Sequence, residues 1–162
     1  MNEKVREGLN AQIGRELQAE HLYLAMSIWF ERKDLPGFAG WLRSQAAEER
    51  EHAFRILEHL EDRDARVELG GLEKPPADFD SPLAAMRAAL EHERKVTGHI
   101  DDCYGLARKE SDHPAEVMLQ WFVDEQVEEE KTFGQIVGQL ERIGDSGAGL
   151  LVMDRDLGAR GG

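Results

Sequence analysis

The sequence predicts an all-α protein: a four-helix bundle running up, down, down, up, with a long crossover between the second and third helices and a short fifth helix at the C-terminus. Three observations predict it. The five prolines fall at 36, 75, 76, 82 and 114 and leave four proline-free segments, each long enough for a helix of roughly 40 Å. Apolar residues recur at helical spacing within every segment. The links between segments are short, long and short in turn, which sets the order of directions.

The first helix is expected over about 2–33, with Val5, Leu9, Ile13, Leu17, Leu24 and Phe30 on its apolar stripe. Asp34-Leu35-Pro36-Gly37 then turns the chain into a second helix over about 38–65, carrying Trp41, Leu42, Phe54, Ile56, Leu57 and Leu60. A link this short makes the pair an antiparallel hairpin. Residues 66–80, with Gly70-Gly71 and Pro75-Pro76, span on the order of 50 Å when extended. A structureless stretch of that length needs a purpose in a compact domain. Here it carries the chain back along the second helix, so that the second and third helices run parallel. Ser81-Pro82 reads as an N-cap followed by proline at the first helical position. It opens a third helix over about 82–110, with Met86, Leu90, Val96, Ile100 and Cys103 inward. Ser111-Asp112-His113 is a second short turn, and the fourth helix covers 114–143 with Met118, Trp121, Phe122, Phe133, Ile136 and Leu140. Gly144 to Gly147 break it before a short helix over about 148–157, and residues 158–162 are expected to be disordered. The 162 residues read as a single domain.

Charge narrows the partners. Acidic residues outnumber basic ones 33 to 20, a net charge of −13, which argues against nucleic acid and against an anionic membrane. Cations and further copies of the chain fit better. A single cysteine, Cys103, excludes a disulfide framework and any cysteine-cluster metal site. No apolar run is long enough to span a bilayer, and MNEKVREGLN is too charged for a signal peptide, so a cytoplasmic location is expected.

Polar residues interrupt every apolar stripe: Glu16 on the first helix, Glu49 and His52 on the second, Glu93 on the third, Gln126 and Glu129 on the fourth. A buried carboxylate costs several kcal/mol unless it is paired or bound to metal. One misfit is ordinary, but one on each helix is a pattern. Glu16 to Glu49 spans 33 residues and Glu49 to His52 three; Glu93 to Gln126 again spans 33 and Gln126 to Glu129 three. The up-down-down-up order brings all four glutamates to one level, roughly 17–24 Å from the same end of the bundle. One Glu from each of two helices and an i, i+3 pair from each of the others is a known template for two-metal carboxylate sites, not a new one. Its donors suit iron or manganese, with Glu49 placed to bridge the pair.

Four segments carry a family resemblance: REL (15–17) with Tyr23, EEREH (48–52), HERKVT (92–97) and LQWFVDEQVEEEK (119–131). They resemble the non-haem ferritins of bacteria and archaea, and the likeness runs from about Leu9 to Asp156. The resemblance implies a hollow shell of 24 subunits that oxidises Fe(II) with O2 or H2O2 and stores ferric mineral. It implies a first iron held by Glu16, Glu49 and His52, and a second by Glu49, Glu93 and Glu129, with Gln126 close enough to contact oxygen species or bound water. It implies a third, weaker iron site on Glu48, Glu125 and Glu128, next to Glu129, and Tyr23 as an electron donor. Haem is not expected, because Arg50 stands where haem-binding relatives carry a methionine, and Glu93 separates the chain from the mini-ferritins. Two other readings stay open: a di-metal oxidase or peroxidase that stores no mineral, and a bundle with no metal.

Other features carry weaker expectations. Glu116, with Asp112 or Glu110, is a candidate for a cation channel. His21, His59, His92, His99 and His113 lack ligand spacing, while Cys103, Met26, Met86 and Met118 read as packing. Gly8, Gly14, Gly98, Gly134 and Gly138 fall inside helices, where close helix contact would explain them. Leu150, Leu151 and Val152 would be exposed on a lone subunit, which favours assembly. The tail containing them resembles the fifth helix that surrounds the four-fold axes of 24-subunit shells.

Overall fold

Five helices and no strand make up residues 1–160, the part of the chain described by the computed structural model: α1 (Glu3–Glu31), α2 (Pro36–Asp62), α3 (Pro82–Lys109), α4 (His113–Ile143) and α5 (Gly147–Arg160). Local chemistry sets most of the ends. Asn2 caps α1 by accepting from the Lys4 N–H, and Ser81 caps α3 by accepting from the Ala84 N–H with Pro82 just inside. Asp112 caps α4 by accepting from the Ala115 N–H. Gly144, at φ +54°, ends α4 in a backbone conformation that glycine adopts without strain. None of these helices is long and apolar enough to cross a membrane.

The crossover over residues 63–81 is fastened along α1 by side chains that periodicity does not single out. The Asn10 amide donates to the Arg66 carbonyl at 3.0 Å and accepts from the Glu68 N–H at 2.7 Å. Gln18 does the same with both backbone groups of Glu73, at 3.0 and 2.7 Å. Arg32 reaches the Ala77 carbonyl and the Asp78 carboxylate. Positions 10, 18 and 32 thus meet 66–68, 73 and 77–78 in the same order, so the crossover travels the length of the bundle. α2 and α3 therefore run parallel.

The apolar core is divided. One cluster holds Tyr23, Met26, Trp29, Phe30, Phe38, Trp41, Met86 and Phe133, and the other Leu9, Ile13, Ile56, Leu60, Ile100, Leu119 and Phe122. Cys103 and Met26 and Met86 are buried, as expected, and Met118 is partly buried against the second cluster. Leu24 and Phe54 correct the expected stripes: both are exposed, and Arg50 lies over the Phe54 ring. The glycine expectation also fails at four of five positions. A Cβ at Gly8 would meet Leu106 and Cys103, but at Gly14, Gly98, Gly134 and Gly138 it would meet nothing.

Close approach occurs instead where α5 docks. A Cβ at Gly37 would overlap the Asp154 carbonyl, and one at Gly158 would stand 3.2 Å from the Gly37 Cα. α2 has no side-chain cap from its own N-cap residue, Leu35. The Asp154 carboxylate takes that part from α5, accepting from the Phe38 N–H at 2.8 Å where the helix dipole favours negative charge. This contact, with Leu157 buried beside it, carries the helix through residues 158–160 rather than leaving them disordered. Gly161 and Gly162, part of the same expectation, lie outside the described residues. Leu151 and Val152 are exposed as expected, whereas Leu150 is partly buried against the first cluster.

Replacing Asp154 with Ala leaves a buried N–H without an acceptor and should cost about 1–3 kcal/mol in urea or thermal unfolding. Asp154→Asn, which keeps an acceptor oxygen, should lose less. Gly37→Ala should lose more than either, because the added carbon has no room.

Candidate metal centre

Between the two apolar clusters lies a polar layer. Glu16 enters from α1, Glu49 and His52 from adjacent turns of α2, Glu93 from α3, and Gln126 and Glu129 from α4; none is more than 5% exposed. Two triads have ligand atoms all within 4.8 Å of one another: Glu16, Glu49 and His52, and Glu49, Glu93 and Glu129. Glu49 belongs to both. His52 Nδ1 lies 3.6 Å from Glu49 Oε2 and 4.0 Å from Glu16 Oε2. Its ring is held edge-on by Trp121 and Phe122, with centroids at 5.4 and 5.8 Å.

So much buried acid raises the proton affinity of the four glutamates in the layer. Burial, then the charge of Glu49, pushes Glu16 well above the usual carboxylate range. Glu49 is raised well up by burial and then by Glu93. Glu129 is pushed up to about 8, by burial and then by Glu93. For Glu93, burial outweighs the hydrogen bonds from Tyr23 and Gln126, which act downward. Without a metal, then, the layer favours the protonated form of its glutamates.

The donor set fits divalent cations for a more specific reason. Glu16 Oε2, Glu49 Oε1 and His52 Nδ1 are sealed from solvent with no hydrogen-bond partner. Orphaned buried acceptors of that kind are rare unless something binds them. Carboxylate and imidazole donors in this proportion are those that iron and manganese accept.

The remaining predicted residues fall as follows. The Tyr23 hydroxyl donates to Glu93 Oε1, its ring stacks on Phe133 at 5.4 Å, and burial raises its pKa well above the usual phenol value. The Gln126 amide donates to Glu93 Oε2 at 3.1 Å, so its Nε2 faces a ligand rather than open space. The third group differs from the expected trio. His52, Glu125 and Glu129 cluster, whereas Glu128 is exposed on α4 outside every cluster among the described residues. α4 turns about 100° per residue, so Glu128 leaves the face that Glu125 and Glu129 share. Glu48 is exposed at the lip, where partial burial raises its pKa. With Glu125, His52 and Trp121 it lines a groove of about 390 Å³ leading to the site. None of His21, His59, His92, His99 or His113 joins a cluster among the described residues.

The channel candidates have partners within the chain. Asp112 caps α4 and binds Arg63 at 2.6 Å; burial acts to raise its pKa, but Arg63 and the Ala115 N–H bring it below the usual value. Glu116 is paired with Arg108 at 3.3 Å and His113 at 3.5 Å, and Glu110 accepts from Asn2 at 2.7 Å. Helix capping and ion pairing account for all three.

Sequence reasoning missed Gln12. It is fully buried one turn before Glu16, donates to Glu16 Oε1 at 2.7 Å, and accepts from Arg15 at 3.1 Å. The available signal was its place on the buried side of α1 beside Ile13. Gln45, one turn before Glu49, is likewise buried, with its Oε1 unpartnered.

A helical bundle whose middle gathers two carboxylate-rich triads around one shared glutamate has the donors to hold metal. The Ferritin-like domain family matches residues 6–143, and the chain belongs to that family. It is 36% identical to a bacterial non-heme ferritin of Staphylococcus aureus (strain USA300), over 99% of this chain and 96% of that protein. It is also 36% identical to one from Bacteroides fragilis (strain 638R), over 99% of each. Among solved structures, an open pore ferritin from the archaeon Archaeoglobus fulgidus superposes with a TM-score of 0.97 at 40% identity, over 98% of both chains. A humanized archaeal ferritin gives 0.96 at 39% identity, over 98% of this chain and 97% of that one.

The raised pKa of Glu129 has a measurable sign. The unfolded chain releases this proton near the ordinary value of 4.5 and the folded chain near 8, so the group subtracts stability as pH rises between them, by at most about 1.4 kcal/mol per unit. Metal-free Glu129→Gln should therefore gain thermal stability relative to the unmodified chain as pH goes from 5 to 8. A constant difference across that range would contradict the assignment.

Proposed function

We propose that this ferritin oxidises Fe(II) at the mid-bundle centre and stores the ferric product inside a shell of 24 copies. The observation that carries the reading is the pair of buried triads sharing Glu49, with three ligand atoms otherwise unpartnered. Glu16, Glu49 and His52 hold one Fe(II); Glu49, Glu93 and Glu129 hold the other, with Gln126 beside it. Bridging by Glu49 keeps the two ions close enough to give up their electrons together.

Each Fe(II) loses one electron. O2 takes both electrons and two protons to become H2O2, and H2O2 as oxidant goes on to water. The protein supplies geometry and charge. Carboxylates stabilise Fe(III) over Fe(II) and so lower the potential of the pair. One imidazole among carboxylates and an amide also leaves the product able to depart, which storage requires. In the reduction of H2O2 on to water, Tyr23 would give one electron, its phenolic proton passing to the Glu93 oxygen that already accepts from it. His52 and Glu125, with Glu129, offer a third position at the head of the acidic groove, and Glu48 at its lip draws cations toward it. Exposed Leu151 and Val152 on α5 supply apolar surface for assembly.

Aerobic Fe(II) in large excess tests storage directly. A soluble ferric core supports it. Two ions oxidised per chain with the rest precipitating would favour an oxidase that stores nothing, and no binding would leave a structural bundle. Light scattering should give 24 times the 18.3 kDa chain mass.

Two further outcomes are expected. Glu49→Gln removes a ligand from both triads and should slow Fe(II) oxidation by more than about tenfold, the scale set by losing even an outer partner of a ligand. Zn(II) bound at pH 7 should release protons, read in buffers of different ionisation enthalpy, because Glu129 and its neighbours must give theirs up.

A further inference from the structure

The second metal position has a support that the first lacks. Gln126 Nε2 lies 3.1 Å from Glu93 Oε2, 3.2 Å from the Glu93 carbonyl oxygen and 3.2 Å from Thr97 Oγ1. A carbonyl oxygen only accepts, so the amide must turn its NH2 toward Glu93. Thr97 stands one turn after Glu93 on α3. Its hydroxyl oxygen is 3.0 Å from the Glu93 carbonyl oxygen and 2.9 Å from Glu130 Oε1 on α4.

That hydroxyl has a single hydrogen. A carboxylate accepts more strongly than a peptide carbonyl, so the hydrogen goes to Glu130 and a lone pair is left facing Gln126. Both N–H bonds of Gln126 then have acceptors, and the amide has one favoured orientation. With Tyr23 donating to Oε1 and Gln126 to Oε2, each carboxyl oxygen of Glu93 is held by a protein donor. Glu16, in the other triad, is held from its own helix by Gln12, backed by Arg15. The two metal positions are therefore braced by separate sets of side chains.

We propose that Thr97 and Glu130 are positioning residues for the second metal position: through the Thr97 hydroxyl they fix the Gln126 amide, and so hold Glu93 in the orientation that lets it share a metal with Glu49 and Glu129. The proposal rests on the reading of that triad as a metal position. Neither residue belongs to either triad, and both are only partly buried, so neither is needed to fill the core. Without the hydroxyl, the Gln126 amide is held by Glu93 alone, and no contact outside the ligand itself fixes its position.

The test is Zn(II) titration by calorimetry of the full-length assembled protein and of Thr97→Val, Thr97→Ser, Glu130→Ala and Glu93→Gln. Glu93→Gln identifies which class of bound Zn(II) belongs to the second position. Thr97→Val, which keeps shape and removes the hydroxyl, should weaken that class about tenfold or more and leave the Glu16–Glu49–His52 class unchanged. Thr97→Ser should restore it. The Co(II) absorption spectrum of Thr97→Val should change only in the bands lost in Glu93→Gln. Glu130→Ala should weaken the same class, and it carries the test should Thr97→Val fail to fold. Unchanged binding in Thr97→Val, equal weakening of both classes, or failure of Thr97→Ser to restore would each overturn the proposal. If the unmodified protein binds no Zn(II) at the triads, the metal reading itself fails and takes this proposal with it.

Discussion

Four carboxyl groups packed between apolar side chains are the constraint on which the rest of this bundle depends. Burial of that kind costs several kcal/mol per charge, and it shifts each of the four toward its protonated form. The layer also explains the divided core. Aromatic and aliphatic residues fill the bundle on either side of it, Trp29, Phe30 and Phe38 toward one end and Ile56, Leu60 and Leu119 toward the other. The first triad lies within the α1–α2 hairpin, but the second joins Glu49 of α2 to Glu93 and Glu129 of α3 and α4, so neither hairpin could form the whole site alone.

Bringing the four glutamates to one level is a problem of direction. An up-down-up-down bundle needs only short links; this one makes α2 and α3 parallel, and a long irregular segment must return the full length of the molecule. Such a segment has backbone groups to satisfy and no ladder of its own to satisfy them. Asn10 and Gln18 do so from α1, and Arg32 from the residue that caps its end. Asp154 solves a similar problem at the start of α2, where the chain supplies no local cap. In each case a polar side chain distant in sequence completes a helix or loop that lacks its own partners.

The net charge of −13 is divided unevenly between tasks. The buried glutamates are gathered in the two triads, while Glu48, Glu51, Glu58 and Glu125 line an open groove beside His52. Asp112 and Glu116, equally acidic, are absorbed in capping and ion pairs. The same residue type serves three purposes here, and its surroundings decide which. The two metal positions also differ in their surroundings: Glu16 is braced from within α1, and Glu93 by Tyr23 from α1 and Gln126 from α4. Such a difference adds to that of the donors themselves, two carboxylates and an imidazole against three carboxylates.

Read by itself, the sequence determined the number and order of the helices, the parallel middle pair, and the six polar residues that belong inside. These are properties of spacing: 3.6 residues per turn marks a face, proline and glycine mark ends, and a charged residue on an apolar face stands out against its neighbours. Ferritin kinship was legible for the same reason, since its motifs lie in continuous segments. Spacing says which way a residue faces but not what it meets. Leu24 and Phe54 shared the apolar rhythm yet are exposed, and Glu128 lies off the face that Glu125 and Glu129 occupy. Gln12 left only the weak signal of a polar residue beside Ile13, and Thr97 and Glu130, half-buried at the edge of their helices, broke no pattern. The tertiary structure alone decided those contacts, the docking of α5 at Gly37 and the hold of α1 on the crossover. The physical reason is range: hydrophobic burial tolerates a shift of an ångström, whereas a hydrogen bond forms only within about 2.7–3.2 Å and along one direction.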